Sequence, residues 1–198
     1  MGRRVELLEE MASSRRENTL TYACDISEMD EFDRALEAMT GELGSLDIAI
    51  LCAGIGELNP VLDASAEIET ARVNVDGWTN AAVGLYRLFE RQGWGQLVTV
   101  TSVGGLMPAA MAPAYSASKA YQINYTKALQ RKSNGTGVVV TEIRPGLVDT
   151  RMAKGDGLFW VMPVDKVASQ IVKAIARRRR LAVVSRRWRL ANYILRHI

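Results

Sequence analysis

Ile48-Ala49-Ile50-Leu51-Cys52-Ala53-Gly54 decides the fold: an apolar run of strand length that ends in a turn of small residues. A strand that is apolar on both faces belongs inside a parallel sheet covered by helices on each side. Similar runs, several rich in β-branched residues, lie at 20–23, 96–101, 138–143 and 181–184. Helical periodicity fills the intervals at 30–39, 67–91, 114–131 and 164–177, and a final amphipathic piece starts at Arg187. This alternation predicts an α/β fold with a mostly parallel sheet and right-handed crossovers. Ligands in such sheets bind beyond the carboxyl ends of the strands, which selects Asp25, Gly54, Ser102 and Pro145-Gly146 for scrutiny.

The 198 residues, 48% of them hydrophobic, suffice for a substantial core and exclude disordered, collagenous and disulfide-stapled classes. The longest apolar stretch, 48–55, falls short of the roughly 18–20 residues a bilayer span needs, and the start carries no apolar leader block. A soluble, cytoplasmic protein is expected. Cys24 and Cys52 lack metal-ligand spacing, and with His197 the only histidine no metal site is expected. The net charge of +3 is unevenly spread: ten of the 25 Lys and Arg follow Asp165, and none of the 22 acidic residues does. The basic amphipathic tail, 177–198, reads as an anionic-lipid contact, a nucleic-acid contact or a solvated helix face.

Tyr115-Ser116-Ala117-Ser118-Lys119 puts a phenol and an ammonium on one face of a helix. A free tyrosine titrates too high for acid–base work at neutral pH, and a neighbouring cation lowers it by favouring phenolate. Ser102 lies thirteen residues earlier at the exit of strand 96–101. Asn74 sits within a helical stretch, where an amide is unfavourable unless its side chain or freed backbone has a purpose. Farther on, Ile143-Arg144-Pro145-Gly146-Leu147-Val148-Asp149-Thr150 closes a strand in a Pro-Gly turn followed by a hydroxyl.

In this ordered set of motifs the sequence resembles the short-chain dehydrogenase/reductase family, strongly from Gly2 to about Thr150 and loosely to the end. The resemblance implies a Rossmann-like, doubly wound, three-layer α/β/α domain over 1–198. It implies Tyr115 as catalytic acid/base, Lys119 lowering its pKa and contacting the nicotinamide ribose, and Ser102 orienting the substrate oxygen. Asn74 matches the fourth catalytic position, by resemblance helping to hold a water that passes protons from Lys119 to solvent. Asp25 resembles the acid that contacts the adenine, and Ala53-Gly54 the turn that lets the dinucleotide approach. Pro145, Gly146 and Thr150 resemble the segment lining the nicotinamide. Gly2-Arg3-Arg4 resembles the basic stretch that meets the 2′-phosphate, with Arg3 the better candidate, so NADP is the expected cofactor and NAD the alternative.

The sequence departs from the family at its start, where the first strand, the T-G-x-x-x-G-x-G loop and the second strand are absent. An N-terminally truncated chain is the expected explanation and a short variant that pairs with itself the other. Either way the strands at 20–23 and 48–51 are expected to expose apolar edges, and the chain alone to bind dinucleotide poorly. Leu51-Cys52 replaces the two asparagines usual before Ala-Gly, and Cys52 is expected as a small buried hydrophobe.

The segments 104–108 and 152–162, with Met107, Met152, Leu158, Phe159, Trp160 and Met162, point to a hydrophobic carbonyl or alcohol, although such residues also fill cores. The expected function is hydride transfer between that substrate and the nicotinamide by a homodimer or tetramer, without nucleic acid and with peripheral membrane contact open for the tail. Three other readings remain: a non-catalytic binding or regulatory relative, nucleic-acid binding by the arginines alone, and a sugar-nucleotide epimerase, for whose substrate domain the C-terminal region leaves little room.

Overall fold

The computed structural model describes residues 1–13, 16–150, 152 and 158–195, without the side chains of residues 16, 186 and 195. His197, the end of the basic tail and all of 153–157 lie outside the described residues. In chain order the elements are α1 (Val5–Ser13), α2 (Met29–Leu43), β1 (Ile48–Leu51), α3 (Ala64–Ala71), a π turn (Arg72–Gly77), α4 (Trp78–Gln92), β2 (Gly95–Val100), α5 (Pro113–Lys132), β3 (Val138–Pro145), α6 (Val164–Ala176), β4 (Leu181–Val184) and α7 (Arg186–Leu195).

Local chemistry sets the ends of several elements. The Asp63 carboxylate caps α3 by accepting from the Ser65 amide at 2.8 Å. Pro113 opens α5, where its missing N–H costs nothing. Gly93 closes α4 at φ 80°, a left-handed position that glycine adopts without strain.

The four strands form one parallel sheet in the order β1-β2-β3-β4, with Ile50 opposite Val98, Val98 opposite Thr141, and Ile143 opposite Ala182. Alternate residues feed two cores. Ala49, Leu51, Leu97 and Val140 pack with Phe32, Trp78 and Phe89 in one, while Val98, Ile143 and Val184 pack with Val167, Ala174 and Ile175 of α6 in the other. The result is three layers, helix on sheet on helix.

Two expectations are corrected at the β1 side of the sheet. The run at 20–23 forms no strand: Ala23 makes an isolated parallel bridge to Gly2, supported by Gly2 N–H donating to Tyr22 O and Cys24 N–H to Gly2 O. A strand needs a partner along its length, and among the described residues only the short segment around Gly2 lies beside this one. Cys52 is exposed, not buried. It follows Ile48 and Ile50, which share the sheet face of Val98 but lie beyond the cover of α6 and are 47% and 52% exposed. The apolar edge expected at 48–51 is present.

The helical stretch at 67–91 is also more complex than its periodicity. It begins at Ala64 and is broken by the π turn at Arg72–Gly77, with Asn74 inside that turn.

Beyond these elements a buried ion pair ties the C-terminus to the sheet. Arg144 donates from Nε and Nη2 to Glu142 Oε1 at 2.8 and 2.7 Å and from Nη1 to Asn192 Oδ1 of α7 at 2.6 Å, while Thr101 Oγ1 donates to the same carboxylate at 2.8 Å.

Candidate active site

The carboxyl end of β2 runs directly into Ser102, whose hydroxyl accepts the Gly104 amide at 3.0 Å and caps a short 3-10 turn, Val103–Gly105. This turn lies flat on α5 because Gly105 has no side chain: a Cβ there would stand 2.5 Å from the Lys119 carbonyl carbon. Close packing of turn on helix brings Ser102 against Tyr115. On the opposite side Gly56 presses on the phenol, and a Cβ at Gly56 would fall 2.3 Å from Tyr115 Cδ2. Burial pushes the Tyr115 hydroxyl above its ordinary pKa, and a hydrogen bond with Ser102 pulls the other way.

Lys119, one turn along α5, is buried, with Nζ 5.9 Å from the Tyr115 ring centroid. It donates to Gln122 Oε1 at 2.9 Å and to Val100 O at 3.4 Å. Burial lowers it to about 8, opposed by the nearby Cys52 thiol. The expected arrangement, a cation depressing a phenol, is thus modified by desolvation, which lifts Tyr115 and lowers Lys119 together.

Asn74 is fully buried and its amide is fully used. Oδ1 accepts the Ile55 amide at 2.8 Å, and Nδ2 donates to Ile55 O at 2.7 Å and to Ser118 Oγ at 3.0 Å. It therefore clamps the turn after β1 to α5. A Cβ on Gly54 would stand 3.2 Å from Asn74 Oδ1 and 3.4 Å from Lys119 Nζ, so this turn presents bare backbone beside an ammonium. Four residues that the sequence spreads over 46 positions thus meet at the carboxyl ends of β1 and β2.

The profile of the short-chain dehydrogenases matches residues 1–157. The chain belongs to that family. Over 157 residues this short-chain dehydrogenase is 28% identical to an uncharacterised oxidoreductase of Staphylococcus epidermidis, a match covering 78% of this chain and 68% of that protein. Among solved structures it is similar to the NADPH-dependent 3-quinuclidinone reductase of Rhodotorula rubra, at 30% identity and a TM-score of 0.66, with 77% of this chain and 59% of that one covered. A short-chain dehydrogenase/reductase from Burkholderia phymatum, solved in complex with NAD, shares the fold at 17% identity and a TM-score of 0.83, covering 96% of this chain and 80% of that chain. The dehydrogenase fold is thus the Rossmann-like three-layer one.

In the dehydrogenase the other sequence-derived candidates occupy three separate places. Arg3 and Asp25 meet at the Gly2–Ala23 bridge, 3.5 Å apart. Burial alone would raise Asp25, but two hydrogen bonds from Ser27 and the Arg3 guanidinium hold its carboxyl below the usual range. Ala53 is exposed in the turn after β1. Pro145 ends β3. Gly146 lies under Trp188 of α7, where a Cβ would be 2.2 Å from Cδ1, and Thr150 is exposed with its hydroxyl 3.4 Å from Val148 O. Sequence reasoning therefore missed why position 146 takes glycine: the C-terminal helix packs on it.

The apolar segments divide similarly. Met162 pairs through its backbone with 147–149 and packs into the α6 core. Phe159 and Trp160 cluster with Trp188 at ring separations of 5.4–5.7 Å, and Met107 and Met152 are exposed. Two surface concavities lie away from Tyr115. One of about 390 Å³ is lined by Lys173, Arg177, Arg179 and Arg189 over Ala174 and Leu181, and one of about 490 Å³ by Trp160, Met162, Gln170 and Arg187. Sequence reasoning also missed Gly56, Ser118 and Gln122, whose only signals were the Gly54-x-Gly56 spacing and polar residues on the buried face of α5.

Proposed function

We propose that this chain forms the catalytic portion of an NADP-preferring oxidoreductase acting on a hydrophobic carbonyl or alcohol. One observation carries the reading: Tyr115, Ser102, Lys119 and Asn74 are packed together beside a turn that a Cβ would fill. That cradle fits the nicotinamide end of a dinucleotide, with Gly54 giving close approach, Lys119 holding ribose hydroxyls, and Pro145 and Thr150 at the neighbouring strand exit. A bound nicotinamide would supply or accept the hydride.

The chain's own groups handle the proton. Tyr115, whose proton affinity burial raises, gives its hydroxyl proton to the substrate oxygen in reduction and takes it back in oxidation. Ser102 donates a hydrogen bond to the same oxygen, and Asn74 keeps the turn and α5 in register. Met107 and Met152, both exposed, belong to the segments that the family resemblance assigns to the substrate side, where they suit an apolar substrate.

Cofactor preference rests on Arg3, whose guanidinium matches a 2′-phosphate and stands beside Asp25, the adenine-side acid. Fluorescence titration of the 198-residue chain is expected to give NADPH binding on the order of 0.1–1 mM. NADH should bind about tenfold more weakly, and Arg3→Ser should remove that difference. Equal binding of the two nucleotides would remove the NADP preference, and no binding at 10 mM would remove the cofactor reading for this chain.

The partners belong to the same reading. Half-exposed Ile48 and Ile50 on the uncovered face of edge strand β1 support a dimer or tetramer, and a composition of two cysteines that form no disulfide with each other suits a cytoplasmic location. Among the described residues no helix is long and apolar enough to cross a membrane. The concavity lined by Lys173, Arg177, Arg179 and Arg189 over Ala174 and Leu181 combines cations with apolar side chains, which fits the face of an anionic bilayer. Flotation with phosphatidylserine vesicles at low salt is expected to carry the protein, and replacing Arg177, Arg179 and Arg189 with Ser to release it. Equal flotation of the two proteins would end the membrane proposal.

A further inference from the structure

Gln122 is fully buried on α5, three residues beyond Lys119. A primary amide in such a place is costly unless both its ends are bonded. Both are: Oε1 accepts from Lys119 Nζ at 2.9 Å, and Nε2 donates to the Asn74 main-chain carbonyl at 2.9 Å. That carbonyl lies inside the π turn, where the regular helical ladder is interrupted and a backbone oxygen becomes available to a side chain. The amide thus occupies the space between Lys119 and Asn74, the place assigned by the family resemblance to a proton-carrying water.

Each element around Lys119 contributes a facing group. Its own helix brings the Tyr115 phenol and Gln122, β2 brings the Val100 carbonyl, and the turn after β1 brings the Cys52 thiol and the bare backbone at Gly54. Among the described residues no carboxylate pairs with it. The shortest acceptor of the ammonium is therefore the Gln122 carbonyl oxygen.

We propose that Gln122 is a positioning residue, which fixes the Lys119 ammonium beneath Tyr115 through a direct amide bridge to the Asn74 carbonyl and favours the charged state of that lysine. An amide accepts and donates hydrogen bonds without exchanging protons at neutral pH, so the bridge orients Lys119 and does not carry its proton away. A hydrogen bond accepted from the charged form raises proton affinity, opposing the burial that brings Lys119 down to about 8. The inference concerns the site assigned to catalysis above, yet its test requires neither cofactor nor substrate, so the two readings can fail separately.

The pH dependence of Lys119 acetylation by acetic anhydride, read peptide by peptide, gives its titration midpoint in the folded chain. In Gln122→Leu the midpoint is expected to fall by about one pH unit, tenfold in proton affinity and about 1.4 kcal/mol. In Gln122→Glu, where a carboxylate faces the ammonium, it is expected to rise by at least as much. A purely structural role moves both variants the same way or neither, and either result overturns the proposal. If Gln122→Leu does not fold, Gln122→Glu decides alone: a raised midpoint supports the bridge and an unchanged one overturns it.

Discussion

Glu142→Leu is expected to destabilise the folded chain by about 3–5 kcal/mol, a large part of the roughly 5–15 kcal/mol that holds a domain folded. The cause is the charge left behind. The Arg144 side chain is 0% and the Glu142 side chain 2% exposed, and the carboxylate accepts two of the guanidinium hydrogen bonds. Without it, Arg144 keeps a full charge away from water with only the Asn192 carbonyl oxygen beside it. Removing both charges should cost much less, because two apolar side chains of similar volume fill the same space without desolvation. Urea unfolding of Glu142→Leu and of Glu142→Leu/Arg144→Met provides the comparison. The double variant is expected to recover most of the loss, and a single-variant loss below about 1 kcal/mol would mean that water reaches the pair in solution.

Tyr115→Phe is expected to lower turnover of an apolar ketone by about 10²–10⁴-fold, the range spanned by positioned general acids. The substitution removes the transferable proton and little else: the ring stays between Gly56 and the 3-10 turn, and Lys119 keeps its bonds to Gln122 and Val100. NADPH binding should therefore change by less than about twofold, separating lost chemistry from a lost site. The pH profile gives a second check. Burial raises Tyr115, so reduction should persist through neutral pH and decline only on the alkaline side as the phenol ionises, whereas oxidation should improve there. A Tyr115→Phe protein that turns over at the parent rate would place the proton donor elsewhere.

How much was legible in advance depended on how local each feature is. The pairing of Tyr115 with Lys119 follows from helical periodicity, and both indeed project from one side of α5 toward the exit of β2. The β1, β2 and β3 runs carry their own β-branched and apolar signal and form where it lies. The run at 20–23 carries a similar signal and stays outside the sheet, because strand formation also depends on what lies alongside. Asn74 was conspicuous as an amide in a helical stretch, but composition does not reveal that the helix becomes a π turn there. The Glu142–Arg144 pair was invisible for a related reason: two charges in a strand read as solvent-facing until α7 is seen to cover them.

Short-range stereochemistry is written into the order of side chains, so the sequence by itself determined the α/β alternation, the common face of Tyr115 and Lys119, and the Ser102 strand exit. Only the tertiary structure decided which surfaces are covered. That choice exposes Cys52, Ile48 and Ile50 on one face of β1, buries Arg144 under α7, seats Gly146 below Trp188 and drives the Gln122 amide between Lys119 and Asn74. Burial and hydrogen-bond partnership are properties of contacts between distant segments, and these contacts raise the proton affinity of Tyr115 and lower that of Lys119.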